Sequence, residues 1–358
     1  MPSERSYQAY WLTVALVCNL LLAGSVLTMW LRPQAFYWRA WEYFSDIVYR
    51  NQSVPPRWEG PEKGDRSRNH YFYYQEARQT QVSTDQDGFR SVPIPSRAYP
   101  VAVLGDSTIF GSGLSDDETL PWRLALELGL PVFNGARTTP GNALARPELS
   151  HVRLVIEGRT EAALTAIEPG ETRPAPAYQP LRQGDMGVLR SAPLALYFWP
   201  ARVLRSGERI ANDIELLVKK HGRTQPYLFK RHRRKPADLE RVAAAVLANQ
   251  RALAQRGISY VFLPVPASQT FYAEDVDAFT RSFIPRLTRR LRELGVPCLD
   301  LTGPFAQSKD QGLFLPTDTH WNDKATAIAV RELAAYLRQS GLLADLAPQG
   351  AAAGGGGS

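Results

Sequence analysis

Two short segments, far apart in the chain, carry residue types that together could do acyl chemistry. The first is Gly105-Asp106-Ser107-Thr108-Ile109-Phe110-Gly111, which follows directly on an apolar, β-rich run. A serine on the turn at the carboxyl end of a strand faces the crevice, and its backbone N–H can point towards a developing oxyanion. Gly-Asp-Ser is a common tripeptide, and turn or N-cap duty would account for Asp106 or Ser107 without catalysis. The second segment is Pro316-Thr317-Asp318-Thr319-His320-Trp321-Asn322, just ahead of the last helical stretch. A serine hydroxyl needs an imidazole to take its proton, and the imidazole needs an acceptor to hold its tautomer. His320 and Asp318 have those types. Taken alone, the segment reads equally as a helix capped by Asp318 or Thr319, with His320 packed on Trp321.

The other histidines offer no second chemistry. His221 and His232 lie in a basic stretch, His70 and His151 are isolated, and none has metal-ligand spacing to Cys, Asp or Glu. Gly111-Ser112-Gly113 lacks the lysine and helix context of a phosphate loop. No metal and no nucleotide cofactor is inferred. Cys18 sits in an apolar run and Cys298 in an expected strand, so no disulfide framework exists.

The elements that must position Ser107 and His320 alternate from residue 100 onwards. Strands are expected at Val101–Leu104, Val132–Phe133, Val152–Ile156, Ile258–Val265 and Val296–Leu301. Helices are expected near 118–129, 142–150, 238–256, 276–294 and 323–340. This order predicts a parallel, doubly wound sheet with both faces covered and functional loops at the carboxyl ends of its strands. His70–Gln75 and the turn Asp85-Gln86-Asp87-Gly88-Phe89-Arg90 read as an edge hairpin or lead-in. The stretch of about 160–237 is too long for a crossover and reads as an insertion, with a Pro-rich start and a basic end.

The 358 residues suit one α/β domain with appendages, and 44% apolar with 22% charged residues is a globular balance. The formal charge of +7 owes much to Lys230, Arg231, His232, Arg233, Arg234 and Lys235, with no nucleic-acid motif around them. No charged side chain occurs from Ser6 to Leu31, and Trp11–Trp30 is long enough to cross a hydrocarbon core of about 30 Å. An uncleaved transmembrane anchor is the expectation; a cleaved signal peptide, with Ala23 and Ser25 as small-residue site, is the rival. Phe36–Tyr49 is an aromatic helical stretch for the membrane interface or for docking on the domain, and Asn51–Asn69 reads as a linker. Expected boundaries are a cytoplasmic tail and anchor over 1–32, the aromatic helix and linker over 33–69, a catalytic domain over 70–345 with the insertion, and a flexible tail over 346–358.

Taken in order, several blocks resemble the SGNH hydrolase superfamily and its alginate O-acetyltransferase-like, AlgX/AlgJ-type branch. They are Asp87-Gly88-Phe89-Arg90, Gly105-Asp106-Ser107, Val132-Phe133-Asn134-Gly135 with Gly141 downstream, Leu154-Val155-Ile156-Glu157-Gly158-Arg159, Phe262-Leu263-Pro264-Val265-Pro266 and Asp318-Thr319-His320-Trp321. The resemblance implies an SGNH-type, flavodoxin-like three-layer α/β/α domain with a five-stranded parallel sheet. It also implies Ser107 as nucleophile, His320 as general base, Asp318 as its orienter, and an oxyanion hole from Ser107 and Gly141, with Gly135 as the alternative glycine. The implied activity is O-acetylation of an exopolysaccharide through an acyl-serine, in the periplasm, by a single-pass protein of the inner membrane that takes acetyl from a membrane-bound O-acyltransferase. An esterase or deacetylase using the same residues, and a non-catalytic subunit of a polysaccharide-modifying complex, are the alternatives. Two departures stand out: in alginate acetyltransferases the Asp-x-His element precedes the serine, and Glu157-Gly158-Arg159 stands where the superfamily carries an oxyanion asparagine.

Overall fold

The computed structural model describes residues 10–20, 23–24, 59–60, 80–136, 138–178, 233–315 and 320–346. The expected aromatic helix, His70–Gln75, most of the insertion, Asp318 and nearly all of the tail lie outside the described residues.

Four parallel strands make the central sheet: β1 (Val101–Gly105), β2 (Val132–Asn134), β3 (Leu154–Thr160) and β4 (Ser259–Val265), in the order β2-β1-β3-β4. Side chains alternate between the two faces, as the two-residue period of a strand requires. Val101, Val103, Leu154, Ile156, Val261 and Leu263 join one apolar layer, and Ala102, Leu104, Val155, Tyr260 and Phe262 join the other. Burial on both faces is why these strands read as unbroken apolar runs.

Helices cover each layer. On the first face α1 (Ser107–Phe110) follows β1, and α2 (Leu120–Leu128) packs on the last long helix. On the second face α3 (Pro236–Ala254) packs against α4 (Phe283–Glu293). The last helix, α5 (Asp323–Gln339), buries Ala325, Ile328, Ala329, Leu333 and Leu337, a helical spacing, against the first layer. Thr119 caps α2 through the Trp122 N–H, and Gly129 ends it in the left-handed conformation.

Three expectations need correction. The fifth strand is reduced to one parallel bridge between Cys298 and Phe262. Pro297 has no N–H to extend a ladder, and Asp300 accepts from the Thr302 N–H and turns the chain into the helix Thr302–Ser308. The helix expected near 142–150 breaks into Pro140–Ala143 and a 3₁₀ turn at Pro147–Leu149. The one near 276–294 splits into Ala278–Arg281 and α4, because Pro285 has no N–H to bond back across the junction.

The lead-in hairpin forms around Asp85, whose carboxylate accepts from the N–H groups of Asp87 and Phe89, with Thr84 bridged to Arg90. Glu59–Gly60, expected within a linker, pairs antiparallel with Val82–Ser83. Residues 10–20 are helical and expose Tyr10, Trp11, Leu12, Leu16, Val17 and Leu20. Among the described residues no helix is long and apolar enough to cross a membrane.

Candidate active site

β1 ends at Gly105, and α1 starts two residues later, so Ser107 is the first residue of a one-turn helix. The turn is possible only because two glycines meet back to back: a Cβ on Gly105 would run into the Gly158 carbonyl and the Ile109 side chain. Ile109 therefore lies over Gly158 and ties α1 down onto the sheet. Asp106 caps the helix. Its Oδ1 accepts from the Thr108 N–H at 3.0 Å, and its Oδ2 accepts from both the N–H and the hydroxyl of Thr160 at 2.7 Å. Asp106 thus clamps the start of α1 to the end of β3. As the first helical residue, Ser107 has an N–H with no intrahelical acceptor.

His320 arrives from the other side of the crevice. Leu313–Leu315 and His320–Asn322 lie antiparallel, with the Leu315 N–H donating to the His320 carbonyl, the Asn322 N–H to the Leu313 carbonyl, and Phe314 bridged to Trp321. Asn322, rather than Asp318 or Thr319, caps α5 by accepting from the Lys324 and Ala325 N–H groups, and its amide donates to the Gly312 carbonyl at 2.6 Å. Trp321 is fully buried against Phe305. This framework sets His320 Nε2 2.7 Å from Ser107 Oγ. With Nε2 unprotonated, the serine hydroxyl donates to it, the arrangement from which an imidazole can take the proton as Oγ attacks. His320 itself is almost completely buried.

Ser107 and His320 open onto a cleft of about 340 Å³ at the carboxyl ends of β1, β3 and β4. One side is Thr160, Ala162 and Ala163, another is Val265 to Gln269, and Phe314 and Trp321 stand beside the histidine. Small apolar side chains near the serine leave room for an acyl group, and Ser268 and Gln269 add polar atoms. Gly141 is absent from this lining: it is packed against the backbone of Glu171 and Arg173, and its carbonyl accepts from the Ala175 N–H. Gly135, the alternative, donates its N–H to the Val103 carbonyl and does not line the cleft either.

The third block also looks different in three dimensions. β3 runs two residues beyond Gly158, so the side chain at the crevice is Thr160, which sequence reasoning passed over. Glu157 and Arg159 point to the opposite face. The Glu157 carboxylate, wholly buried, accepts from Arg159 Nε at 2.8 Å and from the Tyr260 hydroxyl at 2.7 Å, and Arg159 also pairs with Glu171. Burial, and then the Glu157 charge beside it, push the Glu171 carboxyl up to about 7. One residue past Thr160, the buried Glu161 carboxylate accepts from the Ala267 N–H and the Thr270 hydroxyl, joining the two loops that wall the cleft. Burial raises its pKa, and nothing in its local sequence, the first residue of a 3₁₀ turn, marked it beforehand.

The parallel α/β sheet thus carries a serine on its first strand's turn and faces it with a histidine set ahead of the last helix. Residues 225–355 match the family model described as "SGNH hydrolase-like domain, acetyltransferase AlgX". The chain is also 34% identical over 127 residues to the "Probable alginate O-acetylase AlgJ" of Pseudomonas aeruginosa, a stretch that covers 33% of this chain and 32% of that protein. The matched segment is similar to AlgX/AlgJ-type SGNH domains. The chain therefore spans about a third of the length of the curated relative it matches, and the family match includes His320 but not Ser107.

Proposed function

We propose that this protein is a polysaccharide O-acetyltransferase that works through an acetyl group on Ser107. The observation that carries the reading is the 2.7 Å separation of Ser107 Oγ and His320 Nε2 at the head of a cleft. The AlgX/AlgJ-type match supplies the reaction class. His320 takes the serine proton while Oγ attacks the carbonyl of an acetyl donor, and the Ser107 N–H donates to the oxyanion. His320 returns the proton to the leaving group. A sugar hydroxyl then gives its proton to His320 and attacks the acetyl carbon, and His320 passes that proton to Ser107 Oγ as the acetyl–serine bond breaks. In this scheme Asp318 orients the imidazole.

The charge-free run from Ser6 to Leu31 and the exposed apolar side chains of residues 10–20 support a single-pass anchor. The domain then works at the periplasmic face of the inner membrane and draws acetyl from a membrane-bound O-acyltransferase.

The test is to incubate the full chain with an activated acetyl ester, with and without oligosaccharide, and follow protein and sugar by mass spectrometry. Acetyl on Ser107 that moves to sugar is the expected result. Release to water alone would make the protein an esterase. Unchanged acetylation in Ser107→Ala would remove the serine from the mechanism, and no acetylation of either kind would leave a binding subunit.

A further inference from the structure

A helix of one turn cannot hold a nucleophile in place by itself, because fixing its first turn costs more than its own hydrogen bonds return. α1 has four residues, so its orientation must come from what grips its two ends. Asp106 grips the start. At the other end lies Arg90, from the lead-in hairpin, with its side chain fully buried.

Every edge of the Arg90 guanidinium is engaged. Nε donates to Asp116 Oδ1 at 2.6 Å, Nη1 to the Gly111 carbonyl at 2.8 Å, and Nη2 to the Leu114 carbonyl at 2.6 Å, with longer contacts to the carbonyls of Phe110 and Gln81. Phe110 closes α1 and Gly111 is its cap, so the cation sits where the helix presents its carbonyls. Its plane also lies against the Phe110 ring, 5.3 Å from the centroid. Gly111 has φ 88°, and a Cβ there would strike Thr119 and crowd Arg90 Nη1. The hairpin is tied to the same point a second time, since the N–H and hydroxyl of Ser83 both donate to Asp116.

We propose that Arg90 is a positioning residue for Ser107: by gripping the carbonyl end of α1 it fixes where Oγ and the Ser107 N–H stand against His320 and the cleft. The inference rests on the acyl-serine reading above. A displacement of about 1 Å at a reacting atom can cost about 100-fold in rate. Lysine would keep the charge but would lose the fork that meets a carboxylate and two carbonyls at once.

The test uses the full chain, a fluorophosphonate that labels active serines, and turnover of p-nitrophenyl acetate. Wild type, Arg90→Lys, Arg90→Ala and Ser107→Ala are compared well below their thermal midpoints. The expected result is labelling of wild type at Ser107, and a kcat lowered about 100-fold in both Arg90 variants with KM within about twofold. Methylguanidinium should restore about tenfold to Arg90→Ala and nothing to wild type or Ser107→Ala. Should Arg90→Ala fail to fold, Arg90→Lys decides. Folded Arg90 variants that label and turn over at the wild-type rate would overturn the inference and leave the acyl-serine reading standing. So would a lowered midpoint with unchanged kcat. A wild type that never labels at Ser107 would sink both.

Discussion

Arg90, fully buried, and Arg159, mostly buried, are both guanidiniums close to the Ser107 turn, yet their surroundings differ in charge. Arg90 meets one carboxylate, Asp116, and fills its other donors with backbone carbonyls. Arg159 meets two carboxylates, Glu157 and Glu171, with the Tyr260 hydroxyl on Glu157 as a second donor. The first group is balanced and ties the lead-in hairpin and the stretch from Gly111 to Asp116 to the end of α1. The second holds more acid than base in a partly buried place, and burial with the Glu157 charge beside it raises the Glu171 carboxyl to about 7. One strand end is thus anchored by a charge-matched clamp, and its neighbour by a group that can gain or lose a proton near neutrality.

The largest way to break that contrast is Arg90→Ala. It would leave Asp116 buried without its cation, and a loss of about 3–5 kcal/mol in urea unfolding is expected. Asp116→Asn in the same chain should recover part of it, because the two residues act as a pair. A loss below about 1 kcal/mol would mean that the clamp is ornamental.

Arg159→Met should cost less, about 2–3 kcal/mol at pH 8, and less again at pH 5, where Glu171 can neutralise itself by taking up a proton. Equal losses at both pH values would show that Glu171 does not share its proton with this site.

Glu171→Gln sharpens the same point. The folded-state pKa is raised from 4.5 to about 7, so the folded protein binds the extra proton. Its stabilising contribution is complete below about pH 4.5 and is lost as pH rises through 7. The wild type should lose about 1 kcal/mol over that window once solvent screening is allowed for, and Glu171→Gln should flatten the curve. A wild-type stability that rises from pH 5 to 7.5 would contradict the assignment.

The smallest expected effect is Thr160→Val, which keeps the N–H bond to Asp106 but removes the hydroxyl bond, about 1 kcal/mol. Measured beside Arg90→Lys, it compares the two grips on α1: both should lower p-nitrophenyl acetate turnover, the threonine variant by the smaller factor.

Much of the frame was legible before folding because its signals are local. Val101–Leu104 and Ile258–Val265 are continuous apolar runs, which a strand buried on both faces demands, and the last helix was read to within a residue at its end. Val296–Leu301 carried the same apolar signal and made one bridge only, because Pro297 and Asp300 spend their backbone and side chain on a turn. Thr160 was passed over because strand length, not composition, decides which residue reaches the crevice. Gly141 looked suited to an oxyanion turn, but its surroundings are the backbone of residues 171–175, brought there by the chain's later course.

From residue types alone came the candidates: a serine on a strand-to-helix turn, a histidine before the last helix, and an apolar amino-terminal run. Their meaning as chemistry depends on a distance, 2.7 Å, that no spacing along the chain encodes. The same holds for Arg90. Its partners are mostly carbonyls, which every residue possesses, so only the folded chain could reveal which of them it holds.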